Sequence, residues 1–294
     1  MTHKEIKVGI VACSNGQKTE YEEQIKALEK ALVAMEMQPV FSQHIYERES
    51  VFSGTAKERA DALMQMYEDE EITEIFDISG GDIANGILSY LDYDRISKCD
   101  KRFWGYSDLT TVVNAIYAKT EKPSVLYQVK NLVWDESGQQ VENFRNTMIE
   151  DGDDLFHLDY HFIQQQKMQG VVVGGNIRCF LKLAGTDYMP DLTGKILLLE
   201  SLGGTVAQME TYLCQLQQLG AFEKVAGILL GTFTEMESNQ CQPTIEMLVK
   251  RIAGNQLPIA MTKEIGHGTN SKAILIGQTL TFEQQYTCSP ELHI

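Results

Sequence analysis

Three residues far apart in the chain have the side-chain types that acyl-transfer chemistry needs: Ser107, Glu200 and His267. A serine hydroxyl is a weak nucleophile near neutral pH, so an imidazole must take its proton and a carboxylate must orient that imidazole. Ser107 follows an extended aromatic segment, Glu200 ends a run of four aliphatic residues, and His267 lies between two glycines. If the fold brings these side chains together, the sequence predicts a serine hydrolase.

Each of the three residues also has an ordinary structural interpretation. Ser107 precedes a helical pattern and could be its N-cap, a glutamate at a strand end is usually structural, and a lone histidine usually lies on the surface. The GxSxG signature is not met, because Leu109 occupies the position of its second glycine. The hydrolase hypothesis therefore depends on the convergence of all three residues.

The paired glycines Gly80 and Gly81 follow a hydrophobic strand pattern, and residues without side chains let backbone amides approach a ligand closely. We expect the backbone N–H groups of Gly81 and Asp108 to form an oxyanion hole. The alternative is a loop that binds nucleotide phosphates. Neither GxGxxG nor GxxxxGK[ST] is present, which disfavours that alternative.

No metal or other cofactor is predicted. His157 and His161 form an HxxxH pattern that could place two ligands on one helix face, but no third ligand is near them in the sequence. The six cysteines have no paired spacing, which favours reduced and mostly buried thiols over a disulfide framework.

Short apolar runs alternate with helical patterns along the chain, which predicts an α/β protein. We expect an N-terminal flavodoxin-like domain with a parallel sheet over residues 1–135, and a linker over 136–167. A smaller mixed α/β domain should follow over 168–294 and carry Glu200 and His267. Ligands bind beyond the carboxyl ends of parallel strands, where Gly81 and Ser107 fall. The active site is therefore expected in the cleft between the domains.

The charge balance excludes one class of partner. With 25 basic and 41 acidic side chains the net charge is −16, which repels nucleic acid. No apolar run of about 18 residues could span a bilayer, and the N-terminus lacks the apolar core of a signal peptide. A cytoplasmic protein without a membrane partner is expected.

Taken in order, several motifs resemble the serine LD-carboxypeptidase family, which includes muramoyl-tetrapeptide carboxypeptidases and microcin C self-immunity hydrolases. The resemblance implies that Ser107, Glu200 and His267 form the catalytic triad, with the serine in the N-terminal domain. It also implies a metal-independent homodimer, and Asn85 and Asn176 are predicted to contact substrate. The motifs are Gly80-Gly81-Asp82, Tyr90-Leu91-Asp92-Tyr93-Asp94, Gly105-Tyr106-Ser107-Asp108-Leu109-Thr110, Gly174-Gly175-Asn176, Gly185-Thr186-Asp187-Tyr188, Leu198-Leu199-Glu200 and Gly266-His267-Gly268.

Two positions depart from the family pattern. Ser79 stands where many peptidoglycan-processing members have an arginine, and residues 126–129 replace a frequent His-Gly-Pro segment. The first prediction is removal of the C-terminal residue from an LD-peptide such as a peptidoglycan tetrapeptide. One alternative is hydrolysis of peptidyl or aminoacyl adenylate analogues of the microcin C type. The Gly-Gly-Asp sequence favours this alternative. The other is a noncatalytic ligand-binding protein.

Overall fold

The N-terminal half is built on a six-stranded sheet with the strand order β2-β1-β3-β4-β5-β11 in a computed structural model that describes residues 6–284. Five strands are parallel, in the flavodoxin-like order, and the antiparallel sixth comes from near the end of the chain. The strands are β1 (Ile6–Val11), β2 (Met37–Phe41), β3 (Ile72–Asp77), β4 (Arg102–Gly105), β5 (Ser124–Leu126) and β11 (Ile274–Ile276). The prediction of an α/β fold with a parallel N-terminal sheet is confirmed.

Helices cover both faces of this sheet, so its strands are apolar on both sides. Adjacent residues alternate between two cores: Ile75 and Phe103 pack on one face, Phe76 and Trp104 on the other. The helices are α1 (Glu22–Ala34), α2 (Ala56–Glu68), α3 (Tyr93–Ser97), α4 (Thr110–Thr120), α5 (Asn131–Trp134) and α6 (Gln139–Ile149). A 3-10 helix, Ala84–Tyr90, follows the Gly80–Gly81 loop.

The C-terminal half contains a second six-stranded sheet, in the order β12-β7-β8-β9-β10-β6. The four central strands are parallel, and both edge strands are antiparallel. The strands are β6 (His161–Gln164), β7 (Lys167–Asn176), β8 (Ile196–Ser201), β9 (Gly227–Phe233), β10 (Ile259–Met261) and β12 (Thr279–Glu283). The helices are α7 (Ile177–Leu181), α8 (Val206–Gln218), α9 (Ala221–Lys224), α10 (Thr234–Ser238) and α11 (Ile245–Ala253). Among residues 6–284, none of the helices has the length and apolar character needed to cross a bilayer.

Residues 136–167, expected as a linker, contain helix α6 and strand β6. The buried residues of α6 are Gln140, Asn143 and Phe144; Phe144 packs against Trp104, and the partly buried Val141 and Met148 pack against the same core. Strand β6 lies at a sheet edge, and only one neighbour, β10, pairs with it. The polar residues Gln140 and Asn143 among the buried positions of α6, together with the edge position of β6, explain why the sequence pattern is weak over this segment.

The two halves are joined where α4 meets the end of β7. The amide of Asn114 donates to Gly174 O and accepts from Gly174 N, both at 2.8 Å. Thr110 Oγ1 accepts from Asn176 N at 3.0 Å, and a Cβ on Gly175 would lie 2.7 Å from that same oxygen. Because α4 begins just after Ser107, this close contact fixes the position of Ser107 relative to the C-terminal half.

Candidate active site

The structure brings Ser107, His267 and Glu200 into one hydrogen-bonded series. His267 Nε2 lies 3.1 Å from Ser107 Oγ, and His267 Nδ1 lies 2.8 Å from Glu200 Oε2. When Nδ1 carries the ring proton and donates a hydrogen bond to the carboxylate, Nε2 is free to accept the proton of the serine hydroxyl. This arrangement can activate a hydroxyl for attack on a carbonyl carbon.

The backbone of Ser107 is in the left-handed region, with φ of 54°. A side chain rarely adopts this conformation, and such strain concentrates at functional sites. Ser107 lies between the end of β4 and the start of α4, so the sharp turn presents its hydroxyl at the carboxyl edge of the sheet. A Cβ on Gly105 would lie 2.6 Å from Leu109 Cβ. Leu109, which replaces the second glycine of GxSxG, therefore packs into the space above Gly105.

Glu200 lies at the end of β8 and is fully buried, with Oε2 directed at His267. The buried ring of Tyr106 packs edge-on against His267, with the ring centroids 4.9 Å apart. Burial, and then the negative charge of Glu200, raise the pKa of Tyr106 well above its usual value. The imidazole is therefore held between a carboxylate from its own domain and a neutral phenol from the other.

The Gly80–Gly81 loop lies next to Ser107. A Cβ on Gly80 would lie 4.0 Å from Ser107 Cβ, and Gly81 has φ of 121°. A side chain at Gly81 would also overlap Asn15, at 2.2 Å from its Cγ. Only glycine fits here, so the backbone of this loop can approach a bound substrate. The role of the Gly81 and Asp108 N–H groups as an oxyanion hole stays a prediction.

The carboxylate of Asp108 is fully buried and ties several loops together. Its Oδ2 accepts from Ser14 Oγ at 2.6 Å and from Ala84 N at 2.8 Å, while Oδ1 accepts from Lys182 Nζ at 2.5 Å. Lys182 also donates to Asp82 O at 2.9 Å, and Arg178 pairs with the Asp82 carboxylate. Two cations that follow β7 thus hold the loop after β3 and the turn at Ser107. The sequence reasoning missed these cations, since no motif marks them.

Replacing Lys182 with methionine is expected to lower the free energy of unfolding by about 3 kcal/mol, because it leaves the buried Asp108 without its cation. We also expect kcat/KM to fall by about tenfold, since the turn that holds Ser107 would shift. Chemical denaturation and steady-state kinetics measure the two effects. The double variant Lys182→Met/Asp108→Asn should recover most of the lost stability. Equal stability of Lys182→Met and the parent would contradict the importance of this ion pair.

A cleft of about 230 Å³ contains the candidate site. Its lining combines the Ser107 and Gly80–Gly81 loops, the Gly266–Gly268 loop with Leu202, and the segment after β5 that includes Lys130 and Trp134. Sequence reasoning missed Lys130 and Trp134. The available signal was their position, because a lysine and a tryptophan just beyond the carboxyl end of β5 fall where ligands bind in such sheets.

The two asparagines predicted to contact substrate lie elsewhere. Asn85 lines a separate cavity of about 640 Å³ beside Phe52 and Arg59, and this cavity does not include Ser107 or His267. Asn176 is buried and is the N-cap of α7, where its Oδ1 accepts from Cys179 N at 3.3 Å. Contact of either residue with substrate stays a prediction, and the geometry of Asn176 favours its capping interpretation.

Asn176→Ala is expected to destabilise the fold by about 1 kcal/mol, whereas Asn176→Asp should melt like the parent, because aspartate caps a helix as well as asparagine. If Asn176 only caps α7, KM should be the same for the parent and Asn176→Asp. Thermal melts and KM values of the two variants check this. A KM that rises only in Asn176→Asp would instead indicate contact with an anionic substrate.

The helix-face hypothesis for His157 and His161 is wrong. His157 lies outside regular structure and His161 opens strand β6, because α6 ends at Ile149 and the chain then turns to reach the C-terminal sheet. Both side chains are exposed. Within residues 6–284, no group of three or more His, Cys, Asp and Glu side chains is arranged to hold a metal ion.

The protein has an α/β fold of two sheets, in which a serine from one half faces a histidine and a glutamate from the other. Proteins with this combination form a class of hydrolase-like proteins. Residues 8–127 match the LD-carboxypeptidase N-terminal domain, and residues 169–282 match the LD-carboxypeptidase C-terminal domain. The chain belongs to the LD-carboxypeptidase family.

Named relatives fall into two functional groups. The microcin C7 self-immunity protein MccF of Escherichia coli is 28% identical over 264 residues, which cover 79% of this chain and 77% of the relative. A probable murein peptide carboxypeptidase of Bacillus subtilis is 27% identical over 268 residues, which cover 86% of this chain and 82% of the relative. The family thus includes relatives named for two different substrates.

Solved structures agree with the fold along nearly the whole chain. An MccF-like protein from Bacillus anthracis superposes with a TM-score of 0.84 at 25% identity, covering 96% of this chain and 94% of the other. MccF in complex with aspartyl sulfamoyl adenosine superposes with a TM-score of 0.83 at 22% identity, covering 96% and 97%. The two-sheet architecture is therefore the architecture of these proteins.

Proposed function

We propose that this protein is a serine-type carboxypeptidase in which Ser107 is the nucleophile. The observation that carries the proposal is the continuous hydrogen-bonded series from Ser107 Oγ through His267 to the buried Glu200. Ser107 attacks the carbonyl carbon while His267 takes its proton and then returns it to the leaving amine. Glu200 orients the imidazole and stabilises its charged form. The N–H groups of Gly81 and Asp108 hold the tetrahedral oxyanion.

The first proposed substrate is a peptidoglycan-derived LD-peptide, such as a tetrapeptide, from which the C-terminal residue is removed. Membership of the LD-carboxypeptidase family and the murein peptide relative support this choice. A cleft of about 230 Å³ suits one end of a peptide better than its middle. A cytoplasmic location and a homodimer belong to the same proposal.

A second candidate function is hydrolysis of peptidyl or aminoacyl nucleotide analogues, as an immunity enzyme. Similarity to MccF supports it, and so does position 79. Ser79 is fully buried, donates to Asp77 Oδ1 at 2.5 Å and accepts from Ser14 N at 2.9 Å. This position is therefore structural here and offers no cation for a peptide carboxylate.

The experiment that separates these functions incubates the purified protein with murein tetrapeptide and, separately, with a processed microcin C analogue, and identifies products by mass. Loss of the terminal residue from the tetrapeptide supports the carboxypeptidase. Cleavage of the microcin analogue alone supports the immunity enzyme.

A fluorophosphonate tests the catalytic serine independently of the substrate. Covalent labelling at Ser107 supports either enzyme, with Ser107→Ala as the control. No labelling across a broad panel, together with no turnover, would leave a noncatalytic binding protein.

A further inference from the structure

Lys130 is a cation in the same cleft as Ser107 and His267, and it precedes helix α5. Its Nζ donates to Gln17 Oε1 at 3.0 Å and lies 4.7 Å from the centroid of the Trp134 ring. The indole of Trp134 is itself held by a hydrogen bond from Nε1 to Gln24 Oε1 at 3.2 Å. The ammonium therefore has a defined position at the cleft wall, set by a neutral amide and an aromatic face.

The ammonium of Lys130 forms no ion pair within the part of the chain that the structure describes, and the carboxylate of Asp77, whose charge acts on it, already accepts hydrogen bonds from Ser79 and Cys13 N. A partly buried cation without a carboxylate is costly unless a ligand supplies the anion. The other cations close to Ser107 are already engaged, because Lys182 pairs with Asp108, and Arg178 with Asp82. Lys130 is thus the cation of the cleft lining that is available to a substrate.

We propose that Lys130 binds the terminal carboxylate of the substrate and so selects peptides with a free C-terminus. The proposal rests on the proposed carboxypeptidase function and assigns the carboxylate recognition that Ser79 cannot provide. The net charge of −16 makes a local cation necessary, since the overall field repels an anionic peptide. An ammonium that keeps an amide and an indole as its other neighbours can take a carboxylate without losing an existing ion pair.

The lining of the cleft also includes two exposed apolar side chains. Trp134 is 37% exposed on the N-terminal side, and Leu202 is 52% exposed on the C-terminal side. Both residues line the cleft with Lys130. A leaving residue whose carboxylate meets Lys130 can therefore place its side chain against an apolar surface while its amide bond reaches Ser107.

The test measures binding, so that it does not depend on turnover. In a Ser107→Ala background, calorimetry compares murein tetrapeptide with the same peptide carrying a C-terminal carboxamide. We expect the free acid to bind at least about tenfold more tightly, as for a charge-assisted hydrogen bond. Lys130→Met should remove this preference by weakening the acid alone, and Lys130→Arg should keep part of it. A preference that survives in Lys130→Met, or is absent from the Ser107→Ala protein, would overturn the proposal.

Protonation provides a second readout. Burial lowers the pKa of Lys130 to about 8, while the negative charge of Asp77 at the end of β3 opposes this effect. The ammonium is present below that pKa, so the preference for the free acid should decline as the pH rises through about 8 to 9. Lys130→Arg should show no such decline, because the arginine stays charged. The comparison with Lys130→Arg separates Lys130 from His267 and Tyr106, the other titratable groups of the cleft lining, which both proteins retain.

Turnover is measured in parallel with the parent serine in place. If the parent cleaves neither murein tetrapeptide nor its carboxamide, the proposed function fails, while the binding preference still decides the role of Lys130. If the parent cleaves both peptides equally well and Lys130→Met changes neither rate, the function stands and the role of Lys130 fails.

Discussion

Replacing Ser107 with alanine is expected to lower kcat/KM by about 10⁴-fold or more while the melting temperature stays within about 2 °C of the parent. The substitution removes the oxygen proposed as the nucleophile and keeps the Cβ that packs in the turn. Steady-state kinetics and a thermal melt measure the two quantities. Residual activity within about tenfold of the parent would show that Ser107 is not the nucleophile.

Ser107→Gly is the matched control, because it should be equally inactive while relieving the left-handed backbone strain. An L-residue at φ of 54° costs about 1 kcal/mol relative to glycine, so Ser107→Gly should be more stable than Ser107→Ala by about that amount. A stability difference together with equal inactivity would separate the backbone strain from the chemistry. If both variants melt alike, the turn is not strained at this residue.

Glu200→Gln is expected to lower kcat by about 10³- to 10⁴-fold, because an amide can turn its NH₂ group to His267 Nδ1 and stabilise the wrong tautomer. Stability should not fall, and a rise is expected, because the substitution removes the charge of a carboxylate that is fully buried. Kinetics and denaturation of the same preparation measure both effects.

The control for Glu200→Gln is Glu223→Gln, an equal loss of charge at an exposed position of the same half of the chain. It should change neither kcat nor stability beyond about 0.5 kcal/mol. If Glu200→Gln kept a kcat within tenfold of the parent, the carboxylate would only fill space beside His267.

Much of the candidate site could be predicted because the local sequence marks its residues. Ser107 and Glu200 each follow an apolar strand, and His267 has a glycine on either side, so local sequence marks all three. The parallel sheet was predictable for the same reason, since its strands are buried on both faces and form continuous apolar runs. Features of the fold that depend on local patterns could therefore be predicted from the sequence.

Other features depend on contacts between distant segments, and the sequence did not reveal them. Helix α6 buries Gln140 and Asn143 beside Phe144, and the burial of these two polar residues can be recognised only when their neighbours are known. The pairing of Lys182 with Asp108 joins residues 74 positions apart. The proposed role of Lys130 can be recognised only when the fold shows that it lies in the same cleft as Ser107.

Strand β11 has a consequence for how the chain can be divided. The His267 loop leaves β10 in the C-terminal sheet and continues directly into β11, which pairs with β5 in the N-terminal sheet. The loop is thus fastened to both sheets, and the halves cannot swing apart without pulling either the imidazole away from Glu200 or β11 away from β5. A fragment that stops at residue 135 would leave the edge of β5 open to pairing with other chains. The two family segments should therefore melt in one cooperative transition, as a single folding unit that cannot be cut into separately stable pieces.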